Sequence, residues 1–140
     1  MKRRSLETVR RVRELKERER LAEQARARRA ADDAELVMVQ RQEAHAQERP
    51  PAGGVDVAGL RAHRVAVAAL GDAVDRATET RAAADAAHAR ASERTVEAAI
   101  ARRSSERLLE RRDATEAAAV AKLEDRRRDD IGLQLWRRNR

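Results

Sequence analysis

The sequence predicts an all-α fold: two long helices in an antiparallel coiled-coil hairpin, the second longer and projecting beyond the first. Three observations predict it. Ser5–Glu48 and Asp56–Arg138 contain no proline and almost no glycine. Between them lies Pro50-Pro51-Ala52-Gly53-Gly54, the strongest turn signal in the chain. Alanine, arginine, glutamate and leucine dominate the remainder, the composition of a coiled coil or long helix. The expected layout is one coiled-coil hairpin over residues 1–140, with helix 1 at about 5–48, the turn at 49–55 and helix 2 at about 56–138.

Composition argues against a globular core. Aromatic residues make up 1% of the chain, Phe and Tyr are absent, and the apolar 41% is mostly alanine. Few side chains can therefore contribute the ~1.5–3 kcal/mol of a buried large apolar group. Charged residues make up another 41%, which resembles disorder. Alanine, arginine and glutamate are nevertheless strong helix formers, so extended helix is the expectation. Cysteine is absent, which excludes disulfides, thiolate chemistry and zinc knuckles. No apolar run approaches the ~20 residues that span a bilayer. Met1-Lys2-Arg3-Arg4 looks like a signal-peptide start, but Glu7, Arg10, Arg11, Arg13 and Glu14 stand where the apolar stretch belongs. A cytoplasmic chain is expected. Its net charge of +7 is almost all arginine, a bias that GC-rich coding also produces.

Helix 1 is expected to start at Ser5 as N-cap, with Glu7 in the first turn facing the positive end of the dipole. Leu6, Val9, Val12 and Leu15 step by three and drift around the helix. Ala22, Ala25, Leu36 and Val39 fit a heptad seam in which Arg29 and Asp32 take the intervening positions. Glu48 ends the helix, because the positions before proline disfavour helical backbone. Asp56 caps helix 2, and Val55 and Leu60 have the spacing of a hydrophobic staple. Leu60, Val67, Leu70, Val74, Ala77, Ala84, Ala91 and Ala98 then fall at a and d positions, a seam that narrows from large residues to alanine. Beyond it Val96, Ile100, Leu108, Leu109, Val120, Leu123 and Ile131 suggest a shifted register.

Length sets the overhang. Helix 1 spans roughly 65 Å and helix 2 roughly 120 Å at 1.5 Å per residue. A level hairpin pairs Ser5 with the neighbourhood of Ala99. Residues after about Ile100 then project, carrying Leu108, Leu109, Val120, Leu123, Ile131, Leu135 and Trp136. That end is basic: residues 1–20 hold nine Lys/Arg against four acids, and residues 121–140 hold seven against four.

Catalytic patterns are missing. His45, His63 and His88 are too scattered for one metal site. Gly53-Gly54 lacks the lysine and strand context of a phosphate loop. Ser104-Ser105 has no neighbouring base, and Asp32-Asp33 and Asp129-Asp130 point in different directions along a helix. The chain reads as a non-enzyme without cofactor or metal. Its arginine clusters can contact phosphate, yet acids interrupt most of them and stacking aromatics are missing. No nucleic-acid partner is expected.

The stretch from Arg107-Leu108-Leu109-Glu110 through Lys122-Leu123-Glu124-Asp125 to Asp129-Asp130-Ile131 and Trp136 resembles the C-terminal half of the flagellar export chaperone FliJ family. Val67, Leu70 and Val74 resemble that family's mid-chain apolar pattern, and Leu6, Val9, Val12 and Leu15 its opening. The resemblance implies a cytoplasmic, stalk-like component of type III flagellar export, peripheral at the inner face of the cell membrane through its partners alone. Those partners are the export ATPase ring, the cytoplasmic domain of the export gate and other export chaperones. By position, it assigns Arg10, Arg11, Arg13, Leu123, Arg127, Ile131 and Trp136 to the ATPase contact. Leu70 and Ala73 match the gate contact, while Ala66 and Ala77 stand where an aromatic and a histidine can occur. Two other readings remain open: a homo-oligomeric structural coiled coil and a weak basic nucleic-acid-binding protein.

Overall fold

A computed structural model describes residues 3–50, 52–54 and 56–138. It contains two α-helices, α1 at Arg3–Gln47 and α2 at Val57–Arg138. They pack against each other antiparallel, consistent with a two-helix coiled-coil hairpin. The chain divides into two compact units, Met1–Glu17 with Ala98–Arg140, and Arg18–Glu97.

Both helix ends near the connection follow from local chemistry. Gln47 closes α1 three residues before Pro50, close to the expected Glu48. At the start of α2, Gly59 N donates to Asp56 Oδ1 at 2.7 Å, and Leu60 N donates to Asp56 O at 3.1 Å. Asp56 is therefore the expected N-cap, satisfying a backbone donor that the first turn leaves without a partner. The staple expected of Val55, and Pro51 of the turn, lie outside the described residues. At the other end of α1 the expectation fails: Ser5 lies inside the helix, which runs from Arg3, so it is not the cap and Glu7 lies beyond the first turn.

In the unit Arg18–Glu97 the seam follows one unbroken heptad. The less exposed residues of α1 are Arg20, Gln24, Ala27, Ala31, Ala34 and Met38, which alternate steps of four and three. Those of α2 include Val67, Leu70, Val74, Ala77, Arg81, Ala84, His88, Ala91 and Thr95, with the same alternation. Ala31, Met38, Ala77 and Ala91 are buried. The expected α2 seam holds at every position except Leu60, which is 47% exposed. The expected α1 seam is wrong. Ala22, Ala25, Leu36 and Val39 all face solvent, as do Arg29 and Asp32. The small residues of the seam let the helices approach closely, and Leu36 and Val39 lie off its heptad.

The level of the two helices also departs from expectation. Gln24 Nε2 donates to Ser92 Oγ at 3.3 Å, and Arg81 Nη2 lies 3.5 Å from Glu35 Oε1. A level hairpin would place Thr80 beside Gln24, twelve residues earlier, or about 18 Å along the axis. The connection explains the offset. Glu48–Asp56 is non-helical wherever it is described, and nine extended residues reach about 30 Å, enough to run back past the first turns of α2. Those turns consequently lack cover from α1: Val57 and Val65 are 68% and 69% exposed. Gly53, at φ +116°, supplies backbone that other residues adopt only with strain.

The unit Met1–Glu17 with Ala98–Arg140 keeps the heptad through Leu6, Arg13 and Glu17 of α1 and Ala98, Arg102, Ser105, Leu109 and Arg112 of α2. The expected register shift after Ala98 is therefore absent. Val96, Ile100 and Leu108 are exposed and only Leu109 enters the seam. Arg13 bonds to Ala101 O, so the level pairing of Ser5 with Ala99 is also overturned. The fully exposed stretch begins at Asp113 rather than near Ile100, and every residue from there to Arg138 faces solvent.

Two substitutions check this backbone. Gly71 sits within α2, and an added Cβ would lie 3.9 Å from His45 Nε2, an ordinary contact. Gly71→Ala is expected to stabilise the protein by about 1 kcal/mol. Gly53→Ala is expected to cost about 1–2 kcal/mol, both read from urea melts followed by helical circular dichroism.

Candidate functional site

The seam itself is polar over much of its length. In the first unit, Arg13 Nη1 donates to Ala101 O and to Ser105 Oγ, both at 2.7 Å. Ser105 Oγ in turn donates to Ala101 O at 3.0 Å, and this serine is only 1% exposed. Next along the seam, Arg102 bridges helices and turns: its Nε donates to Glu17 Oε2 and its Nη1 to Glu106 Oε1, the latter at 2.6 Å. The hydrogen bond to Glu106, then that to Glu17, raises the Arg102 pKa above its ordinary value. In the second unit Thr95 Oγ1 bonds Arg20 O at 3.2 Å as well as Ala91 O at 2.9 Å. Arg20 also donates to Glu23 Oε2 at 2.7 Å, which holds that carboxyl below the usual carboxylate range. Desolvation opposes the hydrogen bond, and the nearby charges of Arg20, Arg94 and Arg26 each add a smaller lowering effect.

These contacts explain why sequence inspection missed the seam. Heptad searches look for large apolar residues, and here Arg13, Glu17, Arg20 and Gln24 occupy the a and d positions of α1. The usable signal was Ala27, Ala31, Ala34 and Met38, whose alternating steps of four and three match the alanines of α2.

Two depressions lie beside the seam. In the second unit a groove of about 660 Å³ has an apolar floor of Ala30, Ala34, Val37, Ala73 and Ala77, with Asp33, Arg41, Arg76 and Thr80 also lining it. In the first, a depression of about 440 Å³ is lined by Glu7, Arg10, Arg11, Glu106, Leu109, Glu110 and Asp113. It is mixed in charge, with four carboxylates and two guanidinium groups.

The residues singled out from the sequence fall into separate places. Ala73 lines the groove of the second unit, and Leu70 lies half-buried in the seam. Arg10 and Arg11 are exposed and share the charged depression. Arg13 does not join them, because its guanidinium is committed to Ala101 and Ser105. Leu123, Arg127 and Ile131 are exposed at four-residue steps, which puts them on one face of α2. Trp136, also exposed, falls roughly 140° around the helix from Ile131 at 100° per residue. Leu123 lies ten residues beyond Asp113, about 15 Å further along α2, so these groups form no single cluster. Among the described residues no group of His, Cys, Asp and Glu could hold a metal ion. No described helix is long and apolar enough to cross a membrane.

The family model of the flagellar FliJ protein matches residues 1–140, the whole chain. The chain belongs to the FliJ family. It is thereby a component of flagellar protein export. No curated protein and no solved structure matches it.

Two outcomes check the polar seam. Arg13→Ala is expected to destabilise the protein by about 1–2 kcal/mol, since it removes two hydrogen bonds from a charged donor. A chemical melt of the variant reads this directly. The depressed Glu23 pKa adds stability above the pKa of the unfolded chain, and that stability is lost as pH falls through the folded value. Glu23→Gln should therefore flatten the fall of melting temperature with acid, and an unchanged acid limb would refute the assignment.

Proposed function

We propose that this FliJ-family chain acts as a stalk-like, non-enzymatic export component that binds the export ATPase ring through the exposed C-terminal part of α2. The observation that carries this reading is the fully exposed stretch from Asp113 to Arg138, which bears Leu123, Ile131 and Trp136 on its surface. Leu123, Arg127 and Ile131 form the contact face. Arg10 and Arg11 lie near the start of the same stretch and supply positive charge to a partner. Arg13 contributes by holding the helices together rather than by touching the ATPase.

The groove at Ala73 is the proposed contact for the cytoplasmic domain of the export gate. Its apolar lining of Ala30, Ala34, Val37, Ala73 and Ala77 suits small apolar side chains of a partner. Leu70 supports the groove from the seam. Other export chaperones are further partners, and association with the membrane follows from these contacts, in the cytoplasm.

A pull-down with the export ATPase tests the principal contact. Full-length protein should retain the ATPase, and deletion of residues 121–140 should abolish retention. Undiminished binding by the truncated chain would exclude this stretch as the contact.

A further inference from the structure

The same stretch of α2 carries a second property, visible in its charge order. Leu109 is buried in the seam, and Val120 and Ile131 follow at steps of eleven residues, each three helical turns. They continue the face of Leu109 along a part of α2 where every residue is exposed. Leu123 and Leu135 flank the same line, at 56% exposure each. An apolar stripe thus lies open over about four turns of helix.

Charge indicates what covers it. Residues 113–125 hold four acids and one lysine, net −3, and residues 126–138 hold five arginines and two aspartates, net +3. The stretch as a whole is neutral, which does not suit nucleic acid or an anionic membrane. A parallel pair of such helices would set like charge against like. An antiparallel pair sets −3 against +3 twice. Centred between Asp125 and Arg126, that pairing places Val120 level with Ile131 of the second copy and Glu124 with Arg127, all four on the side of the helix that carries the stripe.

We infer that the 113–138 stretch of α2 docks on the same stretch of a second copy of this chain, antiparallel and two-fold symmetric. The interface is isologous, so each copy supplies both halves. Exposed ion pairs contribute little affinity individually. Here they set orientation, while the stripe of Val120, Leu123, Ile131 and Leu135 supplies apolar burial. The dimer is a property of the free chain, and its test needs no ATPase. It covers the face assigned to the ATPase, so a copy held by the ATPase is unpaired.

Charge reversal on the full-length chain tests the pairing by sedimentation equilibrium. One variant combines Arg126→Glu, Arg137→Glu and Arg138→Glu, which makes both halves negative. A second combines Asp113→Arg, Glu116→Arg and Asp125→Arg, which makes both positive. Wild type should dimerise in the micromolar range, each variant alone should associate at least about tenfold more weakly, and their equimolar mixture should recover the dimer. Recovery on mixing also shows that the variants remain folded. Orientation is read in the cysteine-free chain by oxidation of single substitutions on the stripe side of the helix: Arg127→Cys, near the two-fold axis, should cross-link, and Ala117→Cys, far from it, should not. A wild type that stays monomeric, a mixture that fails to associate, or equal cross-linking at both positions would overturn the proposal.

Discussion

The alanines at positions 31, 77 and 91 are buried because the two helices approach closely there, and close approach brings the polar side chains of the seam within hydrogen-bonding distance. Neither feature suffices alone. Alanine buries too little area to fix one alignment, since each methyl adds about 0.8 kcal/mol wherever it lands. The hydrogen bonds are directional and therefore select a register: Gln24 reaches Ser92, and Thr95 reaches the Arg20 carbonyl. In the other unit Arg13 and Arg102 do the same for Ser105 and Glu17. Shifted pairings would leave charged groups desolvated without partners, a costlier state than losing an alanine contact.

From that alignment the exposed surface follows. Leu15, Leu21, Leu36, Val96 and Ile100 face solvent although each is a better core residue than the alanine, arginine or serine beneath. A seam built this way is weakly stabilised per residue and tolerates little volume change. The larger side chains lie outside the seam, and every described residue after Asp113 faces solvent.

The fold was legible from proline, glycine and composition, because those signals act locally. Asp56 could be read as a cap for the same reason: its effect is confined to one turn. The α2 seam was legible at Val67, Leu70, Val74 and Ala77, where apolar periodicity is strong. The α1 seam was not, since its polar half acquires meaning only beside Ser92, Thr95, Arg102 and Ser105 of the other helix. The level of the hairpin was also hidden. Pro50 and Gly54 announce a turn but do not say how far the chain runs back before α2 begins, and that distance moved the start of the exposed stretch from about Ile100 to Asp113. Among the candidate contact residues, Arg13 alone was reassigned. A lone arginine on a charged helix gives no sign, in sequence, of whether it faces a carbonyl or water.

The offset of about 18 Å between the level hairpin and the observed one is the claim on which the rest depends, and spin-label distances measure it. The chain lacks cysteine, so pairs of labels can be placed by substitution at exposed Arg26, Thr78 and Arg90 without disturbing the seam. Electron–electron resonance should give a short distance for the 26–90 pair and a clearly longer one for the 26–78 pair. The reverse order would mean that the helices pair level, that the polar contacts are not the native ones, and that the exposed stretch begins elsewhere.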